Sequence, residues 1–245
     1  MRASLLTIPL ALCCCACAAA QLNENNKEDN RKSADAAIDH HDSSSLSDDQ
    51  IVAALKQALE IGTGKAVALT SKSDGFLNNE AIRILLPTKL QSLGKAMRML
   101  GEGDTVDDLE IGMNRAAEHA APQAKKIFLD ALKNLTFANP RHILAAGDTA
   151  ATEYFQQTCS TNLTTAFTPI IHGALQHAGV TKKYDHVIKT APGGAAIANE
   201  FDLDKYVVGK TLDGLFYMLE QEEIKVRTTP EAQTSALLKD VFAKK

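Results

Sequence analysis

The chain has 245 residues, 45% of them hydrophobic, with 26 basic and 30 acidic side chains and a formal net charge of −4. That apolar content is enough for a packed core without disulfide staples, and the mild acidity leaves no basic field for nucleic acid. With no Trp, eight Phe and four Tyr, an aromatic platform for stacking bases or sugars is not expected.

The first element is an address. Arg2 precedes an apolar run from Ala3 to Leu12 of about 10 residues, half the ~20 that a spanning helix needs. Residues 1–20 therefore read as an export signal. Four of the five cysteines, Cys13, Cys14, Cys15 and Cys17, crowd its far end. Two processing routes compete. Acylation of Cys17, which has the small Ala16 before it, would make a lipoprotein anchored to a membrane; cleavage after Ala18-Ala19-Ala20 would release a soluble periplasmic chain. We read Cys17 as the lipidated residue. A metal site is the poorer reading of the Cys14-x-x-Cys17 spacing, because no second ligand pair follows. Only Cys159 remains for the fold, where it is expected as a small core residue without a disulfide partner.

Residues 21–46 are rich in Asn, Asp, Ser and Lys and predict a disordered polar tether, with a reach of roughly 30 Å. His40 and His41 lie within it between Asp39 and Asp42, a weakly metal-binding composition in a solvated segment. Counted from residue 21 through Asp48, three basic residues face seven acidic ones, so the remainder, Arg2 aside, carries 22 basic and 23 acidic side chains and is close to neutral.

The folded part is predicted to span 47–245. Ser47 with Gln50 makes a capping box, and Leu46 with Ile51 a hydrophobic staple. Ile51, Leu55, Ala58, Leu59 and Gly62 then recur at helical spacing, as do Leu90, Leu93, Met97 and Leu100 behind Pro87. Arg83 to Leu86 is the one plausible short strand. Gly101 should stop the second helix and Asp104 cap the third, whose inward stripe is Val106, Leu109, Met113, Ala116, Ala117 and Ala120; Pro122 should break or kink it. Asn139-Pro140 opens another helix. Gly147-Asp148-Thr149 reads as a joint capped by Asp148. Leu163, Phe167, Ile170, Ile171, Ala174 and Leu175 form an apolar stretch around Pro169, and Ala191–Asn199 reads as a loop. The last long helix starts at Asp202 with Leu203, Val207, Thr211, Leu215 and Leu219 in four-residue steps; a short one follows Thr229-Pro230. The sum is an all-α, single multi-helix bundle-like domain with at most a minor β element near 83–86.

The strings DGFLNN (Asp74–Asn79), LPTKL (Leu86–Leu90), MNRAAEHAAPQAK (Met113–Lys125), ILAAGDTAATEYF (Ile143–Phe155) and LDGLFYMLEQEE (Leu212–Glu223) resemble the DUF4197 family over about residues 50–243. The resemblance implies an exported bacterial protein, in many members a lipoprotein, built as one helical domain. The family has no assigned function and so hands over no catalytic residues. The chain departs from its pattern at Leu85, where proline is expected, and at Ala146, where glycine is expected.

Common catalytic signatures are missing from the sequence. Gly62-Thr63-Gly64-Lys65 looks like a phosphate-loop fragment, but Leu59 stands where the first glycine belongs and Ala66 where Ser or Thr must hold magnesium, so it reads as helix. There is no H-E-x-x-H, G-x-S-x-G or paired C-x-x-C after residue 20, and neither a cofactor nor a metal is assigned. Asn114, Arg115, Glu118 and His119 share two adjoining helical rows and could face one polar pocket; the plainer alternative is an Arg clamped to a carboxylate of another helix. Asp213, Glu220, Glu222, Glu223 and Arg227 read as mostly a solvated face. A pairing of Arg115 with Asp148 or Asp213 in a cleft would make that cluster the best candidate site. The leading expectation is a cell-envelope domain that binds a partner protein or a small apolar ligand between its helices, without nucleic acid. The alternative is a hydrolase-like envelope enzyme using Arg115, Glu118, His119 and Asp148.

Overall fold

A computed structural model of the chain describes residues 46–198 and 200–242. The signal segment 1–20 with Cys17, and the tether up to residue 45, lie outside the described residues. Nine α-helices, one 3-10 turn and no strand occur among the described residues. The helices are α1 Asp48–Thr70, α2 Thr88–Met99, α3 Gly103–Asn134, α4 Pro140–Ala145, α5 Ala150–His177, α6 Val180–Thr190, α7 Gly194–Ala198, α8 Leu203–Thr228 and α9 Ala236–Phe242. None of them is long and apolar enough to cross a membrane.

Local chemistry sets several helix starts. Ser47 Oγ accepts the Gln50 N–H at 3.2 Å while Gln50 Oε1 accepts the Ser47 N–H at 2.9 Å, the reciprocal pair of a capping box. Asn139 accepts the His142 N–H ahead of Pro140, and Asp202 accepts the Lys205 N–H at the head of α8. Gly101, at φ +87°, ends α2. The N-cap of α3 is Glu102 rather than Asp104, which instead sits in the first turn where its charge suits the helix dipole.

The helices α1, α3, α5 and α8 form the centre, with α8 packed on the other three. Phe128 of α3, Phe155 of α5 and Phe216 of α8 meet there, fully buried, with ring centroids 5.1–5.7 Å apart. At Gly62 the α1 and α8 backbones come close: a Cβ there would stand 2.6 Å from Leu219 Cδ1. The phosphate-loop look-alike is thus a packing surface inside α1.

Four further local expectations are refined or corrected. The helix α3 runs through Pro122 without a break; the proline lies on an exposed face, where water can take the carbonyl left without its helical donor. Ala191–Asn199 contains a helix, α7. The segment Arg83–Leu86 is irregular and belongs to no sheet; side chains partner its backbone instead. The N-cap of α5 falls on Thr149, not Asp148, and makes no side-chain cap bond; a carboxylate from α8 does that work.

Candidate functional site

Three carboxylate or amide side chains stand four residues apart on α3, so they rise along one row of the helix: Glu110, Asn114 and Glu118. Each takes hold of the irregular segment between α1 and α2. Glu118 Oε1 accepts the N–H groups of Phe76 and Leu77, both at 3.1 Å. Asn114 accepts the Ile84 N–H at 2.8 Å and returns a bond to the Ile84 carbonyl at 2.8 Å, its second amide proton going to Glu110 O at 2.9 Å. Glu110 accepts the Leu86 N–H at 3.4 Å and pairs with Arg83 at 2.9 Å. Tyr206 of α8 donates to the Leu85 carbonyl at 2.9 Å. The segment is held as a strand would be, with side chains in place of a neighbouring strand.

Arg115 completes this clamp. Its Nη1 donates to Glu118 Oε2 at 2.7 Å and to Ser73 Oγ at 3.2 Å, and its Nη2 to Asp74 Oδ1 at 2.7 Å. These bonds to Glu118 and then Asp74 raise the guanidinium further above its ordinary value. Asp74 sits at φ +67°, a strained left-handed turn that the ion pair helps to fix. Phe76, fully buried beyond that turn, rests against Gly214 of α8, where a Cβ would stand 2.6 Å from its ring.

Asn114, Arg115 and Glu118 are therefore brought together, but with their bonding capacity directed at the 71–87 segment. Arg115 takes Asp74 and Glu118 as its carboxylates, not Asp148 or Asp213. Asp148 lies at the joint between α4 and α5, and Asp213 is exposed and pairs with Lys210 at 3.3 Å. His119 is exposed at the outer edge of the cluster, its ring 6.4 Å from that of His177.

On the face of α8 expected to be mostly solvated, Asp213 is exposed and Glu220 half-buried, but Glu222, Glu223 and Arg227 are buried. Glu223 and Arg227 have side chains 1% and 0% exposed and pair at 2.8 Å. Glu223 also accepts the N–H groups of Ala151 at 3.0 Å and Thr152 at 2.7 Å, the unsatisfied donors at the start of α5. Arg227 donates to the carbonyls of Leu144 at 3.0 Å and Ile143 at 3.3 Å near the end of α4. Each charge faces the helix end of opposite partial charge. Glu222 beside them is also buried. Burial pushes its carboxyl up, but the ammonium groups of Lys225 and Lys65 outweigh that and hold it below the ordinary carboxylate value. The sequence carried a signal for the buried pair: residues 223 and 227 extend the four-residue row 203, 207, 211, 215, 219.

Beyond these networks, a groove of about 380 Å³ runs between α3 and α5. Ile127, Ala131 and Leu135 of the α3 side and Cys159, Leu163 and Ala166 of α5 supply its apolar surface; Asp130, Asn134, Thr158 and Asn162 edge it. Burial pushes the Cys159 thiol up, so at neutral pH it presents as a neutral, weakly polar group. A cleft of similar size between α1 and α3, about 370 Å³, is flanked instead by Lys56, Glu60 and Lys133, with Lys56 donating to the Lys133 carbonyl at 3.2 Å. Among the described residues, no group of three or more His, Cys, Asp and Glu side chains is placed to hold a metal ion.

Fold and site together define an all-helical domain, among the described residues, whose prominent polar clusters cap helices and hold a loop, with an apolar groove open between α3 and α5. The chain belongs to the family described as protein of unknown function DUF4197, whose model matches residues 45–243. No curated protein and no solved structure matches it.

Proposed function

We propose that the domain is a binding module that takes a small apolar ligand in the groove between α3 and α5, working in the cell envelope from a lipid anchor on Cys17. The groove carries this reading. Its volume of about 380 Å³ falls in the range of roughly 300–1,000 Å³ usual for small-molecule sites, and its apolar floor with a few polar groups at the edge matches their usual make-up. The α1–α3 cleft is a poorer host because charged lysine and glutamate side chains guard it.

The enzyme alternative loses support from the same geometry. Three of the roughly four lone-pair directions of Glu118 are engaged, two by backbone N–H groups and one by Arg115, an arrangement that suits a structural acceptor better than a general base. Asp148 belongs to a different part of the fold.

The test is a titration with N-phenyl-1-naphthylamine, an uncharged apolar fluorophore. The expected result is saturable binding with one site per chain, lost on Ala131→Phe, which fills the groove, while the melting temperature stays within about 2 °C. Non-saturating fluorescence, or binding untouched by Ala131→Phe, would overturn the reading.

A further inference from the structure

Five histidines lie among the described residues, and their engagements differ. His172 bonds Asp204 through Nδ1 and Gln176 through Nε2, and His186 bonds Glu102 at 2.6 Å. His142 stands on the short α4. His119 of α3 and His177, the last residue of α5, share one cleft of about 240 Å³ floored by Ala116, Ala174 and Ala178. Both are exposed, and among the described residues they meet in an edge-to-face contact at 6.4 Å between centroids and 86° between planes. Two imidazoles from different helices thus line a common space, their nitrogens without a hydrogen-bond partner among the described residues.

The local field favours a cation there. Arg115 lines the same cleft, but its one positive charge is set against two carboxylates, Asp74 and Glu118, each at 2.7 Å. His177 also stands at the C-terminal end of a 28-residue helix, whose partial charge of about −0.5 is offset in part by the start of α6 at Val180. An anion would meet this negative balance; a divalent cation would be helped by it.

We propose that His119 and His177 form a two-imidazole site for a divalent transition-metal ion of the copper–zinc type. Imidazole nitrogen suits copper, zinc and nickel, whereas magnesium and calcium need oxygen ligands that the cleft lacks. With metal–nitrogen bonds of about 2.0–2.1 Å, two rings on a tetrahedral ion have centroids roughly 5 Å apart. Closing from 6.4 Å then takes a shift of about 1 Å, within reach of side-chain rotation at two exposed residues. Water fills the remaining coordination positions. The bound ion ties the end of α5 to the middle of α3, next to the Arg115 clamp. This site is separate from the α3–α5 groove and stands or falls independently of it.

The experiment uses the full chain carrying Cys13→Ser, Cys14→Ser, Cys15→Ser, Cys17→Ser, His40→Ala and His41→Ala, which removes the cysteine and histidine ligands of the first 45 residues. Cu²⁺ is titrated and the complex read by electron paramagnetic resonance, with Zn²⁺ as competitor. The expected result is one Cu²⁺ per chain with hyperfine structure from two imidazole nitrogens, tighter for Cu²⁺ than for Zn²⁺. His119→Ala or His177→Ala should each weaken binding at least tenfold without changing the metal-free melting temperature, and His142→Ala should leave binding intact. No binding, a single-nitrogen spectrum, or equal affinity in His119→Ala and the parent would overturn the proposal.

Discussion

At the scale of single residues, Glu118 has the clearest task. It is 5% exposed, and one of its oxygens satisfies two backbone donors that have no other partner close by. Hydrogen bonds to a charged group contribute about 1.5–3 kcal/mol, and buried donors left without one cost about as much. Glu118→Ala should therefore lower stability by about 3 kcal/mol, measured by urea denaturation. Asp74→Asn should cost less than about 1 kcal/mol, because the ion pair it removes is half exposed and Asn tolerates the left-handed turn. Gly75 is less forgiving: a Cβ there would stand 2.5 Å from the Leu69 carbonyl oxygen and 2.7 Å from that of Thr70. Both are backbone atoms of α1 that cannot move aside, so Gly75→Ala should be worse than Asp74→Asn in the same assay. Two neighbouring carboxylates make opposite pH predictions. Glu220 is raised by burial, then by Glu153 and Glu223, so its contribution is present below the unfolded carboxylate value and lost as pH climbs through the raised one. Glu222 is held low, so its contribution is present above the unfolded value and lost as pH falls through the lowered one. Stability–pH curves should show Glu220→Gln gaining at neutral pH and Glu222→Gln flattening the acid limb.

At the scale of elements, the Glu223–Arg227 pair joins α8 to the facing ends of α4 and α5. Removing one member strands a buried charge, so Arg227→Ala should cost about 3–5 kcal/mol. Replacing both at once, Glu223→Gln with Arg227→Met, should cost clearly less than the sum of the two single changes in a double-mutant cycle. Elements were legible in the sequence wherever their determinants were local. Ser47 with Gln50, Asn139 with Pro140, and Asp202 each act within three residues, and the apolar rows of α1, α3 and α8 are buried as their spacing requires. What failed to show depends on partners far along the chain. Arg83–Leu86 has the apolar pattern of a strand, but it is matched by Asn114, Glu110 and Tyr206. Glu223 and Arg227 carry charges that ordinarily mark a solvated face, and only the α4–α5 joint, over 70 residues earlier, gives them a reason to be inside. The row of Asn114 and Glu118 was visible as a polar face; its continuation to Glu110, and its role in holding a loop, required the 71–87 segment to be in place.

At the scale of the whole molecule, the proposed function divides labour between polar clusters that hold the fold and an apolar groove that would take a ligand. The groove itself was not legible in sequence, since Ile127, Leu135 and Leu163 look like ordinary core residues and only the separation of α3 from α5 opens a space between them. The division is tested most directly by measuring N-phenyl-1-naphthylamine affinity and urea stability side by side for Glu118→Ala and Ala131→Phe. Glu118→Ala is expected to lose about 3 kcal/mol of stability while its folded fraction binds the fluorophore as the parent does, and Ala131→Phe to keep its stability and lose binding. Loss of binding by folded Glu118→Ala, with Ala131→Phe binding normally, would contradict it and return the polar cluster to the centre of the function.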